Sequence, residues 1–201
     1  MKTCVEGQNT TMICITGGIG SGKSVVSRVL RLKGFPVYDC DSRAKELMCV
    51  DPQLKSDLEK TVGKGIYFSD GSLDRARLAS LIFTSKGVRE RVNRLVHAAV
   101  INDVSSWSGD CGSGVVFVET AIPVTSGMLP MFDRIWMIDA SEELRMRRAC
   151  RRDNVEPEVV RVRMKTQDAE FSDLPADLTV RLINDGYMPL LPQIDDSLKT
   201  L

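Results

Sequence analysis

The most informative absences in this chain are of net charge, of long apolar runs and of paired cysteines. Its 27 basic residues balance 27 acidic ones over 201 residues, which argues against a nonspecific binder of nucleic acid, whose surface needs a basic excess. No apolar run is long enough to span a bilayer, so no membrane association is expected. Residues 1–11 are polar and carry Glu6, and so lack the apolar stretch of a secretory signal; they read as a short tail. The six cysteines, Cys4, Cys14, Cys40, Cys49, Cys111 and Cys150, form no Cys-x-x-Cys pair and no repeated spacing. That removes the zinc and disulfide-scaffold readings and leaves reduced thiols in a cytoplasmic protein. Asn-Lys-x-Asp, the base-recognition element of guanine-nucleotide switches, does not occur.

What is present fits a single globular domain or a core with a modest insertion. Hydrophobic residues make up 43% and charged residues 27% of the chain, an ordinary balance. Met12 to Thr16 is a short apolar run that ends at glycines, as a buried parallel strand would. Val25, Val26, Val29 and Leu30 then recur at helical spacing, with Gly34 as a stop. Phe35 to Asp41 reads as a second strand, its Pro36 at the start, where a lost amide donor does least harm. Residues 42–111 show helical patterns, at Leu73, Leu78, Leu81 and Ile82 and again at Val88, Val92, Leu95, Val96 and Ala99. Ser105 to Gly114, rich in serine and glycine, reads as an exposed connection back to the core. Val115 to Glu119, Ile135 to Asp139 and Leu178 to Ile183 supply three more strands. Strands alternating with helices predict a three-layer α/β/α fold around a five-stranded parallel sheet. Its core takes residues 12–41 and 112–201, with a short lid at about 145–156.

The strongest chemical signal is Gly17-Gly18-Ile19-Gly20-Ser21-Gly22-Lys23-Ser24, a phosphate-loop pattern between a strand and a helix. Glycines let main-chain amides turn inward, and the helix adds the positive end of its dipole, so ATP phosphates meet preformed donors from Gly18 to Ser24. Lys23 would reach the β and γ phosphates, and the Ser24 hydroxyl would take a place on Mg²⁺. Asp39 and Asp41 stand two residues apart and are expected on one face of the second strand, at its carboxyl end, where ligands bind in such sheets. One carboxylate there can accept the proton of an attacking hydroxyl, while the other can hold metal through water. Capping of the next helix is the competing role for either. Arg145, Arg147, Arg148, Arg151 and Arg152 form a dense basic stretch. Such groups stabilise a transferring phosphoryl, although a solvated helix face accounts for part of the stretch.

Together these residues resemble the dephospho-coenzyme A kinase family, in which an Asp-x-Asp follows the phosphate loop at about this distance. The likeness extends through Gly71-Ser72-Leu73-Asp74-Arg75 with Phe83, Asn93 to His97, Glu119, Arg148, Arg152 and Asp153. It continues with Gln167, expected to end its helix, and Ile183-Asn184-Asp185-Gly186, so that residues 12 to about 187 are covered. The resemblance implies transfer of the ATP γ phosphate to the ribose 3′-hydroxyl of dephospho-CoA, with Asp41 as general base. It also implies that Arg148 approaches the transferred group, that Arg152 belongs to the lid over ATP, and that Asp39, Arg75, His97 and Glu119 join the acceptor side. On this reading residues 42–111 are the acceptor-binding insertion, and the enzyme is a monomer or weak homo-oligomer. The chain departs from the family pattern at Ala98, at Val115 to Val118 and at Leu144, which bears on acceptor contacts more than on ATP. His97, the only histidine, is by itself as well read as a structural residue. Two rival functions remain: another small-molecule kinase of nucleoside-monophosphate-kinase-like architecture, and a noncatalytic nucleotide-binding regulatory protein.

Overall fold

The computed structural model describes residues 10–201, with the side chains of 168 and 169 excepted. The expected tail falls largely outside the described residues; its last residue, Thr11, already belongs to a strand. In chain order the elements are β1 (Thr11–Thr16), α1 (Lys23–Leu32), β2 (Val37–Asp39), α2 (Cys40–Val50), α3 (Pro52–Val62), α4 (Arg75–Thr84) and α5 (Lys86–Asp110). They are followed by β3 (Val115–Glu119), β4 (Arg134–Asp139), α6 (Glu142–Asp153), α7 (Pro157–Ser172), β5 (Thr179–Ile183) and α8 (Leu190–Leu198). The described residues form two compact units, one of the residues up to Tyr38 with Ser108–Leu201 and the other of Asp39–Trp107.

In the first unit five strands lie in the order β2-β3-β1-β4-β5. The β1–β3, β1–β4 and β4–β5 pairs are all parallel. The chain steps outward to β2, returns to β3 and then passes to the other side of β1, so the winding direction reverses around β1. In such sheets the ligand crevice opens at the carboxyl ends of the strands where that reversal occurs. The central strands are apolar on both faces because helices cover both. Ile13, Ile15, Val26, Leu30, Phe117, Trp136, Ile138, Leu182 and Ile194 make one cluster beneath the crevice. Phe117 sits at its middle, edge-on to Phe35 at 5.4 Å and tilted against Trp136 at 5.1 Å. Each such fully buried side chain contributes on the order of 1.5–3 kcal/mol, so the crevice stands on a rigid floor.

The second unit is helical. Asp51 caps α3, accepting from the amides of Gln53 and Leu54, with Pro52 at the first helical position. Asp74 caps α4 through the Arg77 amide. Arg43 on α2 forks onto both carboxylate oxygens of Asp103 on α5, at 2.7 and 2.8 Å, and this pairing raises the Arg43 pKa further above its usual value. The Tyr67 hydroxyl donates to the Met48 carbonyl at 2.8 Å, and burial pushes its pKa up to about 12.

Three local expectations are corrected. Residues 105–110 are not a loop but the end of α5, which carries its serines and Gly109 through to Asp110. Helix propensity differences of at most about 1 kcal/mol per residue were outweighed by extension of a long, packed helix. The second strand stops at Asp39 rather than Asp41, because Asp39 caps α2. Gln167 lies inside α7, which continues to Ser172.

Candidate active site

The phosphate loop connects β1 to α1 at the carboxyl end of the central strand. Gly20 has φ 76°, and a Cβ there would stand 2.2 Å from the Arg145 carbonyl oxygen, so only glycine fits. A Cβ on Gly18 would lie 1.8 Å from Nη1 of Arg145, so the guanidinium end of that side chain would have to move to admit one. At the head of α1 no side chain caps the helix, and its first turn has no acidic residue. The positive end of the dipole therefore faces the loop uncompensated. Lys23 Nζ donates back to the carbonyls of Gly17 at 2.7 Å and Gly18 at 3.3 Å. Ser24 is exposed in the first turn of α1.

The loop is held on three sides. Asn184, just past β5, donates from Nδ2 to the Ser21 carbonyl at 2.7 Å. Gln167 on α7 accepts the Ile19 amide at 2.9 Å, and the Ile19 side chain packs on the apolar cluster of Ala149, Val160 and Met164 between α6 and α7. The start of α6 bears on Gly18 and Gly20 through Arg145, as above. One loop amide expected to meet phosphate is thus engaged by a side chain, and the loop tip is coupled to the α6–α7 pair.

The arginines of α6 take distinct places. Arg148 donates from Nη1 to the Asn184 carbonyl at 2.9 Å. It also lines a concavity of about 470 Å³ with Ser141, Leu144, Arg147, Asp185, Gly186 and Tyr187. The amides of Met188 and Tyr187 bond to the Asp185 carboxylate and hold its pKa below the usual carboxylate value. Arg152 points instead to Asp153, at 2.7 and 3.1 Å, and Arg163 of α7 reaches the same carboxylate at 3.1 Å.

Glu119 ends β3, opposite Ile15 of β1 in the sheet register, so it stands next to the approach to the loop. Asp39, Asp41, Arg75 and His97 belong to the helical unit. Asp39 and Asp41 do not share a strand face. Asp39 Oδ1 accepts from the amides of Asp41 and Ser42, at 3.0 and 3.2 Å, and its Oδ2 accepts from the Ser42 hydroxyl. That capping consumes Asp39. Asp41 lies exposed in the first turn of α2, and its carboxylate has no hydrogen bond or ion pair among the described residues. Arg75 is exposed at the first position of α4, and His97 is half buried in the middle of α5. Of the remaining residues in Gly71 to Arg75, Leu73 is buried and Asp74 is a cap.

Sequence reasoning did not single out Arg145 within the basic stretch, nor assign Gln167, Asn184 or Tyr187 a role at the site. A helical projection from Arg148 would have put Arg145 one turn earlier on the same face, towards the loop.

The model of the dephospho-CoA kinase family matches residues 11–186. The dephospho-CoA kinase of Porphyromonas gingivalis is 40% identical over 189 residues, covering 94% of this chain and 93% of that protein. That of Bacteroides fragilis is 39% identical over 184 residues, covering 90% and 88%. Among solved structures, a Thermus thermophilus protein superposes with a TM-score of 0.77 at 27% identity over 95% of both chains. Dephospho-CoA kinase from Campylobacter jejuni gives 0.67 at 20% identity, over 94% of this chain and 95% of that one. A shikimate kinase from Acinetobacter baumannii, at 0.52 and 18%, shares the fold alone.

Proposed function

This chain belongs to the dephospho-CoA kinase family, and from that premise we propose how its own residues carry out the ATP-dependent phosphorylation of dephospho-CoA. It is a phosphotransferase with an alcohol acceptor. The observation that carries the residue-level reading is the loop from Gly17 to Ser24, opening on an uncapped helix at the carboxyl end of β1. The triphosphate binds there, and Lys23 leaves the Gly17 and Gly18 carbonyls for the β and γ oxygens. The adenosine end enters the concavity beside Arg148 and Tyr187, whose volume suits a small-molecule site.

Asp41 is the general base, and Asp39, already committed to the helix cap, supports it by fixing the first turn of α2. The acceptor is the ribose 3′-hydroxyl. Its oxygen forms the new bond to the γ phosphorus as the bond to the β–γ bridging oxygen breaks. ADP departs with that electron pair, and the hydroxyl proton passes to Asp41. Arg148 stabilises charge on the transferring group, and Arg152 completes a lid that excludes water. Arg75, His97 and Glu119 hold the acceptor.

The donor set fits Mg²⁺. Ser24 offers an exposed hydroxyl at the helix head, and among the described residues no three His, Cys, Asp or Glu side chains gather as a protein-only metal site. A cation ligated by Ser24, phosphate oxygens and water would draw charge off the γ phosphate. Among the described residues no helix is long and apolar enough to cross a membrane. The enzyme is assigned to the cytoplasm, as a monomer or weak homo-oligomer.

Neither rival function is favoured by the comparisons. An acceptor panel tests the reading: ADP release with ATP and Mg²⁺ is measured with dephospho-CoA, shikimate and nucleoside monophosphates. Turnover is expected with dephospho-CoA alone. Equal or faster turnover with another alcohol would replace the assigned acceptor, and no turnover with any would revive the noncatalytic reading.

A further inference from the structure

The basic stretch on α6 contains five arginines, and the two assigned above, Arg148 and Arg152, are not the ones against the phosphate loop. Arg145 is. Its guanidinium covers Gly18 so closely that a methyl group there would overlap Nη1. Its main-chain carbonyl oxygen would stand 2.2 Å from a Cβ on Gly20. Arg145 Nε is buried and has no hydrogen-bond partner, and the side chain makes no ion pair among the described residues. A buried guanidinium N–H without an acceptor is costly, more so on a charged group. Such a group marks a place where an acceptor belongs.

The missing acceptor is an anion, for an electrostatic reason. Lys23 Nζ is 3.3 Å from the Gly18 carbonyl, so an ammonium and a guanidinium converge on the same residue of the loop. Arg148 and Arg152 have other partners, the Asn184 carbonyl and Asp153. Two like charges brought together beside a helix N-terminus repel one another until a multiply charged anion lies between them. Lys23 serves the β–γ end of a triphosphate, and a cation sharing Gly18 with it serves that end too.

We propose that Arg145 is a phosphate-binding residue of the nucleotide site, its guanidinium over Gly18 contacting the β–γ end of ATP together with Lys23. It thereby sets the preference for a triphosphate over shorter nucleotides. A planar fork suits this contact better than an ammonium would, because it can span two phosphate oxygens. The proposal rests on the phosphate-loop reading above.

Calorimetric titration of wild type, Arg145→Gln and Arg145→Lys with ATP, ADP and AMP tests it. Wild type comes first: a chain that does not bind ATP overturns the phosphate-loop reading itself, and this proposal with it. Given binding, Arg145→Gln is expected to weaken ATP by about ten- to a hundredfold, the range for a charge-assisted contact. ADP should weaken less and AMP hardly at all. Arg145→Lys should recover part of the ATP preference. The AMP affinity of the same variant reports whether the site is still folded. Unchanged ATP affinity in Arg145→Gln, or an equal loss for ATP and AMP, would overturn the proposal and leave Arg145 as a packing residue. So would a lysine variant as impaired as the glutamine one.

Discussion

Asp39 and Asp41 have the same side chain but different fates, and the difference lies in their hydrogen bonds. Asp39 accepts two amides and a hydroxyl at the head of α2, which leaves it a structural anion. Asp41 retains an uncommitted, exposed carboxylate, which is what proton abstraction needs. Asp41→Asn keeps the shape and removes the basicity. Turnover is expected to fall by about a hundred- to ten-thousandfold, with ATP affinity nearly unchanged. Steady-state kinetics alongside an ATP titration check this, and turnover near that of wild type would remove Asp41 from the role. The alternation reading that paired these aspartates on a strand face failed because a period of two holds only while the chain stays extended. Here the first carboxylate itself ends the strand by capping. Arg145 went unassigned for a related reason: five arginines in one helix are equivalent in composition, and only the approach of α6 to Gly18 separates them.

At the scale of elements, α6 and α7 act as a pair that grips the loop tip. Ile19 is held by its amide on Gln167 and by its side chain on the apolar cluster between the helices. Further along α7, buried Glu170 accepts the amides of Val124 and Thr125, at 3.0 and 3.1 Å, in the segment after β3. The polar closure of the pair is Asp153. Its bond to Arg152, with added attraction from Arg163, holds its carboxyl below the ordinary 3.8. A lowered folded-state pKa gives a contribution that is complete above the ordinary value and is lost as pH falls through the lowered one. Asp153→Asn is therefore expected to lower the melting temperature near neutral pH, and the gap to wild type should close on acidification through and below the ordinary carboxylate range. Melting curves across that range check it, and a gap independent of pH would assign Asp153 a packing role instead. The strands β1, β3 and β4 were legible as compact apolar runs because burial on both faces leaves them little polar alternation; β5, at the sheet edge, leaves Val180 and Arg181 exposed and gave a weaker signal. The end of α5 was not legible, since serine and glycine tolerate a packed helix although they favour loops. Nor was the head of α3 recognised, although Asp51-Pro52 is a helix-start signature that was there to be read.

Taken whole, the molecule sets one rigid feature, the five-stranded sheet with its aromatic floor, beneath a phosphate loop at the carboxyl end of its central strand. That much followed from the order of apolar runs and from one octapeptide, because the winding of parallel strands and the chemistry of phosphate binding allow few arrangements. The acceptor roles proposed for residues of the helical unit rest on the resemblance alone, since surface residues such as Arg75 carry no periodic signature of what they touch. Every role proposed above serves a direct transfer of the terminal phosphoryl from ATP in the loop to the ribose 3′-hydroxyl of dephospho-CoA. That transfer is tested most directly by incubating wild type and Lys23→Ala with γ-labelled ATP, Mg²⁺ and dephospho-CoA and locating the label by mass spectrometry and phosphorus NMR. Label is expected on the 3′-oxygen of coenzyme A with wild type and almost none with Lys23→Ala. Label released only as inorganic phosphate, placed on another hydroxyl, or transferred equally well without Lys23 would contradict it.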